Sequence, residues 1–429
     1  MASPVWHPFH QYGLNEAIPR ISRGEGALLH LADGGMLIDA ISSWWVTTHG
    51  HCHPRIGAAI AAQAAKLDQL IFAGYTHEPA EEVARGLIDI APSAPGSDPL
   101  THVFYSDSGS TAVEVALKMA LGYWHNRALD GVSAPRHRIL VLQHSYHGDT
   151  IGAMSVGERG VYNAAWSPLL FDVGTIPFPA EGQEQATLDA LAAACAEKPA
   201  AFIVEPLILG AGGMLIYPPH VLREMAAICA RHDVLFIVDE VMTGWGRTGT
   251  LFASEQAGVV PDIMAVAKGI TGGAIPLAAT LASQRIFDAY KSTDRARLFY
   301  HSSSYTANAI ACAAAAANLA IWREEDVLGR IAALSEGIAR RLDAVAAHPA
   351  FTRPRQLGTL AAIDLVTADA GYLSELAPRL RAFFLERGIL LRPLGNTIYL
   401  MPPYCIDAGQ LDQLFAALND AGDRFRVSP

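Results

Sequence analysis

The sequence has few charged residues, few cysteines and no long apolar run. Asp, Glu, Lys and Arg make up 17% of the 429 residues, and the net charge of −11 includes no basic cluster, so nucleic acid is not expected as a partner. The five cysteines are scattered and form no C-x-x-C pair, which argues against a disulfide framework or a zinc ribbon. Neither a secretory leader nor an apolar run of the ~20 residues that span a membrane is found. We therefore expect a soluble, cytoplasmic protein without a membrane partner.

Apolar patterning predicts an α/β fold. Short runs at 234–238, 263–267 and 277–282 are apolar on both faces and alternate with amphipathic helical segments. Such runs are typical of parallel strands in a large doubly wound sheet that is covered by helices on both faces. The pattern changes near residue 324, where longer helices and shorter strands indicate a smaller α+β domain. The predicted units are an N-terminal segment that packs with the small domain (1–55), a large domain (56–323) and the small domain (324–429).

Two polar residues end neighbouring apolar runs. Asp239 follows the run at 234–238, and Lys268 follows the run at 263–267. Ligands of doubly wound sheets gather at the carboxyl ends of the strands. A lysine amine and a carboxylate suit pyridoxal 5'-phosphate (PLP), because the amine forms a Schiff base with the aldehyde and the carboxylate keeps the pyridine nitrogen protonated. Taken alone, Lys268 is more often a solvated residue at a strand end.

The segment 106–114 has the composition of an anion-binding helix start. Thr111 and Glu114 match a capping box, and the small residues Gly109 and Ser110 before them let backbone N–H groups approach an anion closely. A phosphate would meet unpaired donors at such a helix N-terminus. An ordinary capped helix without a ligand is the simpler interpretation of this motif alone.

Aromatic and cationic residues follow other strands. Tyr146 follows the apolar run at 138–143, where its ring could lie against a planar cofactor. Arg392 ends a short apolar run, and a guanidinium there can bind a carboxylate in bidentate fashion. Trp44 and Trp45 offer flat apolar area, although tryptophan usually belongs to the core. A surface turn and a surface arginine are the plain alternatives for Tyr146 and Arg392.

Three histidines present a metal-site alternative. His49, His51 and His53 alternate along the chain, and alternate residues of a strand share a face. Gly50 and Pro54 make a regular strand doubtful, and no carboxylate stands nearby in sequence. We therefore expect no metal here, and a zinc enzyme remains a weaker alternative.

The order of the motifs is more specific than any one of them. The segments SDSGS, SYHGDT, VDEVMTGWGRTG, AVAKGITGG and HSSSYTAN follow one another along essentially the whole chain. In this the chain resembles the class III (ω-type) PLP-dependent aminotransferases of fold type I. The resemblance implies that Lys268 is the Schiff-base lysine, that Asp239 partners the pyridine nitrogen, and that Tyr146 stacks on the ring and touches the substrate. It also implies that Gly109 and Ser110 hold the phosphate.

Further segments narrow the implied function. Ser303 and Ser304 match a motif that reaches the phosphate from a second subunit, which implies a homodimer with shared sites. The segments WHPF, ISSWW and LRPLGNTIYLMPPY resemble members that convert 8-amino-7-oxononanoate to 7,8-diaminononanoate in biotin biosynthesis, with S-adenosylmethionine as the favoured amino donor. Arg392 would bind the acceptor's carboxylate and Trp44 would line its alkyl chain. The implied substrate-binding residues are Phe9, Trp44, Trp45, Tyr146, Ser302 and Arg392.

Three departures from the family pattern leave alternatives open. Phe9 stands where many members have tyrosine, so lysine is retained as an alternative donor. Ser302-Ser303-Ser304 replaces the commoner Gly-Pro-Thr, and Leu209 replaces a frequent glutamine for which we have no physical account. Another aminotransferase of ω-amino acids or diamines, with a 2-oxo acid as acceptor, remains the nearest rival. A non-catalytic dimeric binding protein is a weaker one.

Overall fold

The computed structural model describes residues 4–14, 16–368 and 370–426. Its strands are Ile21–Glu25 (β1), Leu28–Leu31 (β2), Met36–Asp39 (β3), Leu100–Ser106 (β4), Ile139–Leu142 (β5), Gly174–Ile176 (β6), Ala201–Val204 (β7), Ile208–Leu209 (β8), Leu215–Ile216 (β9), Leu235–Asp239 (β10), Ile263–Val266 (β11), Ala278–Ser283 (β12), Phe351–Leu357 (β13), Leu360–Leu365 (β14), Ile389–Leu390 (β15) and Thr397–Leu400 (β16). Its helices are Ser42–Trp45 (α1), Pro54–Ala64 (α2), Glu78–Ile90 (α3), Gly109–Leu129 (α4), Ile151–Ser155 (α5), Glu184–Ala196 (α6), Pro219–Arg231 (α7), Ser254–Ala257 (α8), Gln284–Asp288 (α9), Ala309–Glu324 (α10), Val327–Ala346 (α11), Leu376–Glu386 (α12) and Ala408–Phe425 (α13).

A seven-stranded sheet forms the centre of the fold, in the order β4-β12-β11-β10-β7-β5-β6. The strands β11, β10, β7, β5 and β6 pair in parallel. Every residue of β10 and β11 is buried, which explains why these runs are apolar throughout. The predicted α/β fold with a large, mostly parallel sheet is confirmed.

One strand runs against the expected direction. The apolar run at 277–282 becomes β12, which pairs antiparallel with both β11 and β4. The expectation of a parallel strand was wrong here, because apolarity throughout a strand reports that both faces are covered and does not report the direction of the strand. All residues of β12 are buried.

Three smaller sheets accompany the large one in the described residues, and the shortest pairs β8 with β9. The strands β13, β14 and β16 form an antiparallel sheet, while β1, β2, β3 and β15 form a second sheet. In the second sheet, Ile38 of β3 is paired in parallel with Ile389 of β15, so the N-terminal segment shares a sheet with the C-terminal part of the chain. Both isoleucines belong to one apolar cluster with helices α11, α12 and α13. The domain boundaries themselves stay a prediction.

Two further observations concern the environment of the chain. No helix within the described ranges combines the length and apolarity needed to cross a bilayer. All five cysteines lie within those ranges and are unpaired.

Candidate active site

A cavity of about 430 Å³ lies at the carboxyl edge of the large sheet. Four parallel strands (β5, β7, β10 and β11) end at this edge, so polar residues at their ends or just after them converge. The N-terminus of α4 forms another wall. The lining residues that bear on the chemistry are Trp45, Gly109, Ser110, Tyr146, His147, Glu205, Asp239 and Lys268.

Asp239, the last residue of β10, is buried against a histidine. Its Oδ2 lies 2.7 Å from Nδ1 of His147, and its Oδ1 accepts a hydrogen bond of 3.0 Å from the backbone N–H of Val241. The His147 side chain is fully buried, and no atom of the described residues pairs with its Nε2. His147 was not among the predicted site residues. Its place directly after Tyr146, beyond the end of β5, is the signal that could have found it.

Glu205 is a second buried carboxylate that the sequence reasoning missed. It follows β7, and its two oxygens accept hydrogen bonds of 3.1 Å from the backbone N–H groups of Tyr146 and Gly210. Burial raises the pKa of Glu205 to about 7, although nearby His147 and these two N–H groups oppose the shift. A polar residue directly after a buried strand was the signal used for Asp239, and the same signal applies to Glu205.

Lys268 follows β11 and begins a 3-10 helix that ends at Thr271. Its backbone φ is +48°, in the left-handed region that few residues other than glycine adopt. Its Nζ lies 4.9 Å from the ring centroid of Trp45, and it forms no ion pair within the described part of the chain. Burial lowers the pKa of Lys268 to about 8, against the attraction of Asp239 and Glu205. A lysine with this pKa exchanges protons readily near neutral pH.

The start of α4 faces the cavity and is capped differently from the prediction. The structure forms the capping box between Ser108 and Thr111, with hydrogen bonds of 3.2 and 2.9 Å, so the predicted box of Thr111 with Glu114 was wrong. The helix therefore begins at Gly109, and Gly109 and Ser110 occupy its first turn beside the cavity. Backbone N–H groups in a first helical turn are suited to bind a phosphate.

The side chain of Glu114 instead joins α4 to the loop after β5. Its Oε1 accepts hydrogen bonds from the Thr150 hydroxyl (2.6 Å) and from the backbone N–H groups of Gly152 (2.9 Å) and Ala153 (3.2 Å). The Asp149 N–H donates to the Ser110 hydroxyl at 3.1 Å. These contacts hold the loop that carries Tyr146 against the start of α4.

Tyr146 lines the cavity, as the prediction requires of a residue that contacts cofactor and substrate. Burial, followed by the carboxylate of Asp149, raises the pKa of Tyr146 above its ordinary value. The phenol therefore stays protonated at neutral pH and can donate a hydrogen bond. Its proposed stacking and substrate contact stay predictions.

Phe9, Trp44 and Arg392 come together beside the main cavity. The rings of Phe9 and Trp44 lie 5.5 Å apart, and the Arg392 guanidinium carbon lies 5.2 and 5.3 Å from their centroids. Phe9 and Arg392 line a neighbouring cavity of about 340 Å³, whereas Trp45 lines the main one. Of the predicted substrate residues, Trp45 and Tyr146 therefore line the main cavity, and Phe9 and Arg392 line the second one. A guanidinium over aromatic faces is held in place and keeps N–H donors for a carboxylate.

Ser302, Ser303 and Ser304, the serine run, belong neither to the lining of the main cavity nor to the group of Phe9, Trp44 and Arg392. None of Ser302, Ser303 and Ser304 is among the residues that line the main cavity in the described chain. The Ser303 hydroxyl hydrogen bonds to the carboxylate of Asp107, which does line it. The backbone carbonyl of Ser304 accepts a hydrogen bond of 2.8 Å from the Gln69 side chain. Their role as residues of a second subunit stays a prediction.

His49, His51 and His53 do not share a common partner among the described residues. His49 Nε2 lies 2.8 Å from Oδ1 of Asn318, and His51 Nε2 lies 2.8 Å from Oδ2 of Asp39. The rings of His49 and His53 are 5.8 Å apart. Within residues 4–14, 16–368 and 370–426, no three side chains of ligating type are grouped so as to hold a metal ion.

The residues present fit a flat, phosphate-bearing aldehyde cofactor. A buried carboxylate stands at one side of the cavity, a lysine of lowered pKa lines it, and a capped helix N-terminus offers N–H groups. His147 lines the same cavity, and its buried Nε2 has no hydrogen-bond partner among the described residues. Lys268, Asp239, Tyr146 and the start of α4 are therefore the residues that would hold PLP. Fold and site together define the class of PLP-dependent transferases.

Comparisons with known proteins agree. The model of the family described as aminotransferase class-III matches residues 13–421, and the chain belongs to this family of PLP-dependent aminotransferases. It is 47% identical to the adenosylmethionine-8-amino-7-oxononanoate aminotransferase of Synechococcus elongatus, over 98% of each chain. The enzyme of the same name from Nitratidesulfovibrio vulgaris is 39% identical over 98% of this chain and 80% of its own.

Solved structures give the same family. The crystal structure of adenosylmethionine-8-amino-7-oxononanoate aminotransferase from Methanocaldococcus jannaschii superposes with a TM-score of 0.91 at 33% identity, covering 98% of this chain and 97% of its own. An amine transaminase from an uncultivated Pseudomonas species, in its PLP-bound form, has a TM-score of 0.89 at 31% identity and covers 99% of both chains. The predicted fold type, enzyme class and cofactor are confirmed.

The balance of charges around Lys268 generates a prediction on pH. Only the uncharged amine attacks an aldehyde, so the rate of PLP attachment to cofactor-depleted protein should rise with pH and reach half its maximum near pH 8. Asp239→Asn removes a negative charge that favours the ammonium form, so its midpoint should lie at lower pH. Stopped-flow absorbance from about pH 6 to about pH 11, a range that extends past the ordinary lysine pKa of about 10.4, measures both midpoints.

Glu224→Gln, on the exposed face of α7, is the matched control for this prediction and should leave the midpoint unchanged. A midpoint near the ordinary lysine pKa, or an upward shift in Asp239→Asn, would contradict the electrostatic assignment.

Proposed function

We propose that the chain transfers an amino group to the ketone of 8-amino-7-oxononanoate and forms 7,8-diaminononanoate, a step of biotin biosynthesis, with S-adenosylmethionine as donor. The observation that carries the proposal is the group of Phe9, Trp44 and Arg392 beside the Lys268 cavity. The acceptor has a carboxylate at one end of an alkyl chain and the reacting ketone at the other. It therefore needs a cation set apart from the reactive lysine, with apolar walls between them.

The names of the relatives support this choice of substrate. The relatives from Synechococcus elongatus and Nitratidesulfovibrio vulgaris both carry the name of the oxononanoate enzyme. We further propose that the chain acts in the cytoplasm, which its unpaired cysteines support.

In the proposed reaction, the residues of the chain mainly move and hold protons. When bound, PLP supplies an electron sink that makes the donor's carbon–hydrogen bond acidic. Lys268, with a pKa near 8, would take the proton from the donor carbon and later return one to the acceptor carbon. Asp239 would hold a proton on the ring nitrogen, and His147 would orient Asp239 through their 2.7 Å contact. Overall, the donor amine becomes a ketone and the acceptor ketone becomes an amine, so no outside oxidant is required.

Two observations support alternatives to the proposed donor and substrate class. Phe9 has no hydroxyl to offer the donor, which keeps lysine as an alternative to S-adenosylmethionine. The amine transaminase from Pseudomonas shares 31% identity with this chain, and it represents the rival class of ω-aminotransferases. The Arg392 group favours a carboxylate-bearing acceptor over a simple amine or ketone.

We also propose a homodimer with shared sites. Large apolar side chains are exposed close in sequence to the serine run, including Leu298 (50%), Tyr300 (65%) and Tyr305 (61%). Ile71 (66%) and Tyr75 (62%) are likewise exposed, near Gln69, which contacts Ser304. The Gln69–Ser304 hydrogen bond brings the two segments together, and large exposed apolar patches usually mark a protein interface.

The substrate assignment is tested by a product assay. The holoenzyme is incubated with 8-amino-7-oxononanoate and either S-adenosylmethionine or lysine, and 7,8-diaminononanoate is measured by mass spectrometry. We expect product with S-adenosylmethionine. Product with lysine alone would correct the donor. No product with either, from protein that retains its cofactor absorbance, would reject the oxononanoate assignment and favour the rival class.

The role of Arg392 generates a second prediction. Arg392→Ala should raise the KM for 8-amino-7-oxononanoate by ~10-fold or more, since a charged hydrogen bond contributes about 1.5–3 kcal/mol, and should change the donor KM much less. Arg381→Ala is the matched control, because Arg381 lines the same neighbouring cavity but forms an ion pair with Glu16. Equal changes of both KM values in Arg392→Ala would remove its assigned role.

The dimer is tested by complementation. Lys268→Ala lacks the amine, and Ser304→Ala lacks the hydroxyl predicted to act across the interface. If sites are shared, refolding the two variants together should produce mixed dimers with one intact site and more activity than either variant alone. Sedimentation at the mass of one chain over the assay concentrations, or no recovery of activity in dimers shown to be mixed, would contradict the proposal.

A further inference from the structure

The turn that carries Lys268 needs support from outside itself. The backbone of Lys268 has a φ of +48°, and Ala267 before it is extended (φ −158°, ψ −151°), so the chain bends sharply at the reactive residue. A residue with a β-carbon in the left-handed region persists only when its surroundings hold it there. The 3-10 helix that follows is four residues long and is itself a weak element.

One buried side chain binds this turn directly. Asn318 of α10 is fully buried, and its Nδ2 donates hydrogen bonds of 3.0 Å to the backbone carbonyls of both Gly269 and Ile270. These are the two residues that follow Lys268. Both hydrogens of the Asn318 amide are thereby used on the turn of the reactive lysine.

The orientation of this amide is determined by a histidine. Because Nδ2 donates twice, Oδ1 must accept, and it lies 2.8 Å from His49 Nε2. His49 Nε2 therefore carries a proton and Nδ1 does not. Burial lowers the pKa of His49 to about 4, so the ring is a neutral donor at physiological pH. The neighbouring Thr48 N–H donates to the carbonyl of Gly272 at 3.2 Å, which holds the far end of the same turn.

We propose that Asn318, oriented by His49, is a positioning residue that sets the direction of the Lys268 side chain by holding the carbonyls of the turn after it. The chain of contacts runs from His49 through Asn318 to the residues adjoining Lys268. Neither residue lines the cavity in the described structure, so both act through the lysine. The inference rests on amino transfer by the family and not on the oxononanoate substrate.

The test compares two substitutions in the same helix. Asn318→Ala removes both donors to the turn, while Leu319→Ala removes a buried apolar side chain that packs against α3 near Gly86. Asn318→Ala should lower kcat by ~10-fold or more, since misplacement of a reacting group by about 1 Å costs on the order of 100-fold, with KM values changed far less. Leu319→Ala should lower the unfolding temperature without lowering kcat by more than ~2-fold.

A spectroscopic reading separates positioning from stability and needs no substrate. In Asn318→Ala holoenzyme, the pH midpoint of the visible absorption band of bound PLP should shift by about half a unit or more, because the field at the lysine nitrogen changes with its position. The midpoint in Leu319→Ala should equal that of the wild type. A failure of the oxononanoate proposal would leave this shift intact. If Asn318→Ala keeps both the wild-type midpoint and kcat while its unfolding temperature falls, the proposal is overturned.

Variants of His49 decide the question if Asn318→Ala gives no folded holoenzyme. Gln at position 49 retains an N–H donor for Oδ1, whereas Leu does not. We expect His49→Leu to lower kcat and shift the midpoint in the same direction as loss of Asn318, and His49→Gln to restore both towards wild type. Equal effects of the Leu and Gln variants, or no effect of either, would overturn the orienting role.

Discussion

The shared direction of four parallel strands is the constraint on which the site depends. Because β5, β7, β10 and β11 end at one edge, His147, Glu205, Asp239 and Lys268 lie around the same cavity. This edge is largely removed from water, so each ionisable group must be stabilised by its neighbours. Asp239 has His147, and Glu205 has two backbone N–H groups. Among the described residues, Lys268 has the face of Trp45 and the more distant carboxylates but forms no ion pair, and burial therefore lowers its pKa to about 8.

A second requirement is that three parts of the chain meet around this edge. Arg247 follows β10 and is almost fully buried, yet it donates to backbone carbonyls of Thr47 (2.9 Å) in the N-terminal segment and Pro402 (3.2 Å) near the C-terminus. Its contact with Thr47 anchors the segment that presents Trp45 to the cavity. Trp44 and Trp45 are thereby attached to the same scaffold as Lys268, although they are more than 200 residues apart from it in sequence.

The sequence predicted the chemistry of the site better than its surroundings. Lys268, Asp239 and Tyr146 each stand at or after the end of a buried strand, which the sequence shows, and the order of the motifs then assigned them to the site. Glu205 carries the same signal and was missed because no motif drew attention to it. The direction of β12 and the capping box at Ser108 were not predicted. The first depends on which strands β12 pairs with and the second on which side chain reaches the helix start, and sequence spacing shows neither.

The least predictable features are those where the local backbone is unfavourable. Ser42, Ser43 and Trp45 all have positive φ, as does Lys268, and no local propensity favours this in residues that bear a β-carbon. At Ser43 the conformation is stabilised by Asp39, whose buried carboxylate accepts the Ser43 N–H at 2.6 Å and also binds His51. Such conformations persist only because distant side chains compensate them. The geometry of the site is therefore a tertiary property of the chain, whereas Lys268, Asp239 and Tyr146 could be proposed as site residues from the sequence alone.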